Sequence, residues 1–222
     1  MLSSVSKNAK VLALFAVIAT AIVGLVNEAT KGRIIAQEQA QLLKVLHSII
    51  PPKLHNNDIY NDCKIITDPL LGNKEQTAYL AKYNNKPIAA AITATAPDGY
   101  NGNINLIVAI NTNGRISGVR ILKHQETPGL GDKIEERKST WITRFSGKIL
   151  PEENDNQWAV RKDGGMFDQF TGATITPRAV VKAVKKVALY FKSHQQSLFE
   201  QGKSCRPESD KLTQEMVENE ND

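Results

Sequence analysis

The sequence predicts an α+β chain: a single N-terminal transmembrane helix followed by one domain in which an antiparallel sheet is flanked by helices. Three observations predict it. An uncharged apolar run, Val11 to Val26, stands close behind Lys7 and Lys10. A block of β-type runs follows, divided by the turn signals Asn84-Asn85 and Asn113-Gly114. An amphipathic helical run then closes the domain, with Val180, Val181, Val184, Val187, Ala188 and Phe191 on one stripe.

The apolar run is somewhat short for a span of about 20 residues. Ala29 and Thr30 extend it, and Lys10 can snorkel. No small-x-small cleavage site follows it, so the reading is an uncleaved signal anchor over 11–30 rather than a removed signal peptide. Residues 1–10 are then cytoplasmic, although Lys31 and Arg33 weaken the positive-inside signal. Thr30 to Ile50 repeats Ile34, Leu42, Val45, Leu46 and Ile49 at helical spacing and stops at Pro51-Pro52. It reads as a helical stalk over 31–52.

The domain occupies 53–195. Lys64 to Thr67 is a short strand candidate. Thr77 to Tyr83 and Ile88 to Thr95 are strands joined at Asn84-Asn85, the second with poor alternation and hence buried on both faces. Pro97 to Asn103 reads as a loop. Ile104 to Asn111 and Arg115 to His124 form a hairpin about Asn113-Gly114. Lys133 to Phe145 is predicted helical, with Trp141 and Ile142 inward, and Trp158 to Val160 is a short strand. The last helix is predicted over Pro177 to His194, with Thr176 as N-cap and Pro177 in its first turn. Residues 196–222 are polar and acidic, and read as a disordered tail.

The formal charge of +5 is spread over scattered Lys and Arg residues, with no basic block interleaved with aromatics, so nucleic acid is not a predicted partner. The four histidines and two cysteines make no metal motif. A Cys63–Cys205 disulfide is open to an oxidising compartment, but the predicted mobility of the tail argues against it.

Three glycine-bearing loops remain: Gly99 to Asn103, Glu126 to Asp132, and Asp163 to Thr176. The last leads three threonines, Thr171, Thr174 and Thr176, into a helix start, where free N–H groups favour an anion. A plain capped helix explains the same residues. No GKT or GKS supports a P-loop, and GLGDKI lacks the third glycine of a dinucleotide fingerprint. A threonine hydrolase using Thr174 needs a base; His124 and Lys133, which flank the Glu126 loop, are candidates, but nothing fixes their geometry.

The run Phe170-Thr-Gly-Ala-Thr-Ile-Thr-Pro-Arg-Ala-Val resembles the attachment motif of covalent-flavin FMN-binding domains. Glu126-Thr-Pro-Gly-Leu-Gly-Asp and Gly99-Tyr-Asn-Gly-Asn-Ile are similar to that family's other signatures, in the same order. Within the family, the chain most resembles the G subunits of Rnf-type (Rsx) ion-translocating electron transport complexes. The related C subunits of sodium-translocating NADH:quinone reductases are the near alternative. The resemblance implies FMN joined through its phosphate to Thr174 by a phosphoester bond, made by a flavin transferase from FAD. It implies cofactor contacts from Thr171, Gly172, Ala173, Ile175, Thr176, Glu126, Thr127, Gly129, Leu130, Gly99 and Tyr100. It implies no catalytic residue of a stand-alone enzyme, but an electron relay among the other subunits of a complex in the bacterial inner membrane. Its anchor would lie in the lipid bilayer, with the C-terminal domain on the periplasmic side. The competing reading is a membrane-anchored scaffold without a cofactor.

Overall fold

The computed structural model describes residues 2–149 and 151–206. Two units are distinct, the first ending at Lys44 and the second beginning at Val45. In the first, α1 (Leu2–Ile49) runs unbroken, because neither Pro nor an unfavourable run interrupts it before Pro51. Its stretch from Asn8 is long and apolar enough to cross a membrane. One helix thus runs through both segments read from the sequence as anchor and stalk, and its last turn belongs to the second unit.

The second unit is built on a sheet of six antiparallel strands in the order β5-β4-β3-β2-β1-β6. These are β1 (Cys63–Ile66), β2 (Gln76–Tyr83), β3 (Lys86–Gly99), β4 (Gly102–Asn111), β5 (Ile116–Lys123) and β6 (Lys203–Ser204). Asn84 and Asn85 both take positive φ, 47° and 62°, as the two-residue turn between β2 and β3 requires. Gly114 turns the β4–β5 hairpin at φ 78°. The segment read as a loop from Pro97 is instead the end of a long hairpin. Gly99 pairs with Gly102 across Tyr100 and Asn101, and Pro97 falls in the bulge of β3, where a missing N–H costs no ladder bond.

The core lies between the sheet and α2 (Ile175–Glu200). Ala90, Ile92, Ala94 and Ala96 of β3 and Leu106, Val108 and Ile110 of β4 face Val180, Val184, Val187 and Phe191, all buried. Small alanines on β3 leave room for the larger helix side chains, each of which contributes roughly 1.5–3 kcal/mol on full burial. The opposite face of the sheet is apolar as well, which explains the poor alternation. Ala89, Ala91, Ile107 and Ala109 are buried there, as are Leu46, Ile49 and Ile50 from the end of α1. Ile49 presses on Gly118, where a Cβ would stand 2.8 Å from its Cγ2. Ser117 Oγ donates to the Ile49 carbonyl.

Four further expectations are corrected. The helix predicted over Lys133 to Phe145 is two 3-10 segments, Gly131–Ile134 and Thr140–Phe145. Between them Ser139 is extended, its hydroxyl donating to the Lys133 carbonyl at 2.7 Å and accepting from Trp141 N–H at 3.2 Å. Trp158 to Val160 is no strand; only Val160 bridges, to Phe167. The final helix starts at Ile175, so Thr174 and not Thr176 holds the N-cap position, and it continues to Glu200. The tail is ordered through Arg206: β6 pairs with β1, and Cys205 bonds Cys63 with their Cα atoms 5.4 Å apart. The remaining acidic residues, 207–222, lie outside the described residues.

Candidate functional site

An aromatic cluster supports the loop that precedes α2. Phe145 stacks on Phe167 at 4.4 Å between ring centroids, and Trp141 meets Phe170 edge-on at 5.2 Å. Trp141 Nε1–H donates to the Asp168 carbonyl at 2.7 Å, and Asp168 also pairs with Arg144 and with Arg161, the latter at 2.8 Å. Gly165 passes so close to the Ala159 backbone that a Cβ would lie 2.0 Å from its carbonyl oxygen. Arg178 of α2 grips Asp163 with two parallel bonds of 2.6 and 2.8 Å and holds its carboxyl below the usual carboxylate range.

These contacts aim a tight turn, Phe170–Ala173, at the helix start. Ala173 N–H closes it on the Phe170 carbonyl at 3.2 Å. Gly172 sits at φ 82°, a backbone region that side chains resist. Thr174 follows at the N-cap position. It is half-buried, and its side chain makes no capping bond. The first turn of α2 leaves the N–H groups of Ile175 and Thr176 without intrahelical acceptors, and Pro177 has none to leave.

The second loop leaves β5 through His124. Thr127 gathers it: its carbonyl accepts the N–H groups of Leu130 at 3.2 Å, Gly131 at 3.0 Å and Asp132 at 3.4 Å. Glu126, only 4 % exposed, joins all three loops. Its Oε1 accepts the Asn101 N–H of the β3–β4 turn at 3.1 Å, and its Oε2 accepts the Thr176 hydroxyl of α2. Asn101 Nδ2 also reaches Thr127 Oγ1 at 3.5 Å. Glycine is required on both sides of this carboxylate. A Cβ on Gly99 would stand 2.9 Å from Glu126 Oε1, and one on Gly131 would stand 2.9 Å from Thr176 Oγ1.

The three loops thereby enclose one cleft of about 290 Å³. Tyr100, Glu126, Thr127, Leu130, Gly172, Ala173, Thr174, Ile175 and Thr176 line it, each singled out from the sequence, together with Gly131, which was not. Gly99 and Gly129 lie behind the lining, the first against Glu126 and the second at φ 76° in the Thr127 turn. Thr171 is exposed on the far part of its turn and does not line the cleft. Sequence reasoning weighed His124 only as a base for a hydrolase and quoted Asn101 only within a motif, assigning neither to the site. Asn101 follows the two named residues Gly99 and Tyr100, whereas nothing local marks His124 as part of the cleft's support.

The cleft offers a hydroxyl without a capping bond, two helix-start N–H groups without intrahelical acceptors and apolar walls at its mouth, Tyr100, Leu130 and Ile175 being 64 %, 41 % and 44 % exposed. That combination suits a phosphate carrying a flat, partly apolar group. Among the described residues no group of three metal-ligating side chains occurs.

Comparison with known proteins agrees. Residues 99–188 match the FMN-binding domain, and residues 1–49 match the RnfG N-terminal region. The G subunit of the ion-translocating oxidoreductase complex of Shewanella oneidensis is 53 % identical over 206 residues, covering 92 % of this chain and 97 % of that protein. Its counterpart in Vibrio cholerae serotype O1 is 52 % identical over 92 % of this chain and 99 % of its own length. That of Shewanella piezotolerans is 50 % identical over 95 % and 100 %. With half its residues shared along nearly the whole length of such relatives, the chain belongs to the G subunit family of ion-translocating oxidoreductase complexes and carries the FMN-binding domain of that family.

Proposed function

We propose that the chain relays electrons within its membrane complex through FMN held covalently, by a phosphoester bond, on Thr174. One observation carries the reading: Thr174 stands at the start of a long helix with its hydroxyl uncommitted, inside the cleft where the three glycine-bearing loops meet. Its Oγ1 would form the bond to phosphorus as a flavin transferase opens the pyrophosphate of FAD, with AMP leaving and the hydroxyl proton released to solvent. The linked phosphate keeps a single negative charge. The helix start, with the N–H groups of Ile175 and Thr176, suffices to hold it, in keeping with Arg178 being committed to Asp163.

Bound FMN supplies one-electron as well as two-electron transfer. The residues of this chain hold and orient it. Gly172 and Ala173 let the backbone come close. Glu126 and Thr127 offer polar groups, and Tyr100, Leu130 and Ile175 give the ring an apolar seat. The linkage keeps a carrier on an outer membrane face from losing its cofactor. The disulfide supports an oxidising, periplasmic location for the domain. Residues 11–30 would then cross the lipid bilayer, 31–52 form the stalk, and the other subunits of the complex supply donor and acceptor.

The test is direct. The full chain made with its flavin transferase is denatured, and its absorbance and mass are measured. Retained flavin absorbance and an FMN adduct on the peptide containing Thr174 are expected. Release of all flavin on denaturation would overturn the covalent reading.

A further inference from the structure

His124 is the first residue beyond β5, half-buried, and both of its ring nitrogens are engaged. Nδ1 accepts the Glu126 N–H at 3.0 Å. It therefore carries a lone pair, and Nε2 carries the proton, donated to Glu135 Oε1 at 2.8 Å. Glu135 remains an acceptor because Arg137, and then His124 itself, hold its carboxyl down to about 2. The bond from Nδ1 to the N–H two residues on has the pattern by which an Asn or Asp side chain fixes a turn. It sets the direction in which the chain leaves β5 immediately before the buried carboxylate that joins the three loops.

We propose that His124 is a positioning residue for the cofactor cleft: its Nδ1 holds the Glu126 backbone, and through it the carboxylate that gathers Asn101 and Thr176. The proposal rests on the reading of this cleft as the flavin site. Nothing in it requires His124 to touch the cofactor, since it does not line the cleft.

The geometry dictates which replacements succeed. His124→Asn restores an acceptor for the Glu126 N–H and gives up only the Glu135 link. His124→Phe keeps the ring and removes the acceptor. In the full flavin-loaded chain, His124→Phe should speed hydrogen exchange at the Glu126 amide by about ten-fold or more, and His124→Asn should bring it back to within about three-fold of the parent. The midpoint potential of the attached flavin should shift in the Phe variant and return in the Asn variant.

Glu126→Gln serves as reference, because that side chain lines the cleft itself. If Glu126→Gln shifts the potential while His124→Phe leaves both potential and exchange unchanged, or if Asn fails to restore them, the positioning role is overturned. If Glu126→Gln leaves the potential unchanged, the reading of this cleft as the flavin site fails instead, and amide exchange alone decides the role of His124. Independently of any variant, nitrogen-15 NMR of the histidine-labelled parent chain should show Nε2 protonated and Nδ1 bare. The opposite tautomer would overturn the proposal.

Discussion

Thr176 and Glu126, fifty residues apart in sequence, share a buried hydrogen bond in which the threonine hydroxyl donates to Oε2. The bond ties the first turn of α2 to the loop beyond β5. It also accounts for a threonine with no exposed surface two residues beyond Thr174. Thr176→Val keeps the shape and removes the donor, leaving one oxygen of a buried carboxylate short of a partner. A loss of about 1–3 kcal/mol is expected. Urea denaturation checks it, and an unchanged midpoint would mean that the bond contributes nothing.

Attachment and stability should separate at Thr174. Because its side chain caps nothing, Thr174→Ala should alter stability by no more than about 0.5 kcal/mol, unlike an ordinary N-cap replacement. The same change should abolish the FMN adduct, whereas Thr171→Ala, on the exposed part of the turn, should keep it. Mass spectrometry of both variants, beside their melting curves, decides.

The disulfide closes a long loop, its cysteines being 142 residues apart. Constraining the unfolded chain over such a distance is worth about 2–5 kcal/mol. Reduction, or Cys63→Ser with Cys205→Ser, should lower stability by that amount and release β6 from β1. Comparing urea midpoints with and without reductant, with thiols counted, tests it.

Glu135 gives a pH signature. Its carboxyl is lowered from an ordinary 4.5 to about 2, first by Arg137 and then by His124. A depressed folded value means stability that is present above the ordinary value and lost as pH falls through the window down to about 2. Glu135→Gln should lower stability most at neutral pH, where the parent carboxylate is charged, and flatten the acid limb, so that the two curves converge as pH falls toward about 2. Acid titration followed by circular dichroism reads the difference.

Much of this fold is written locally. Asn84-Asn85 and Asn113-Gly114 announce hairpins because few residues tolerate positive φ. The spacing of Val180, Val184, Val187 and Phe191 announces a helix with one buried face. What escapes local reading depends on distant partners. Thr176 looks like a cap because Pro177 follows it, yet its hydroxyl is claimed by Glu126. The run from Lys133 has helical composition, yet Ser139 and the Trp141 bond to Asp168 bend it into two short turns. Polar Gln201 to Arg206 looks free, yet Cys63 captures it. The meeting of the three loops falls in the same class, since it runs through a single carboxylate whose partners lie 25 and 50 positions away.

Each margin of the sheet is covered at one end among the described residues. At β5, the Gly147 N–H bonds the Ile116 carbonyl at 2.8 Å, and the Ile116 N–H bonds the Lys148 carbonyl at 2.9 Å. At the other margin, β6 is only two residues long and is pinned beside its cystine. At these covered positions a neighbouring protein finds no free ladder to extend by adding a strand of its own. Recognition at those two ends is thereby left to side-chain shape and charge rather than to backbone pairing.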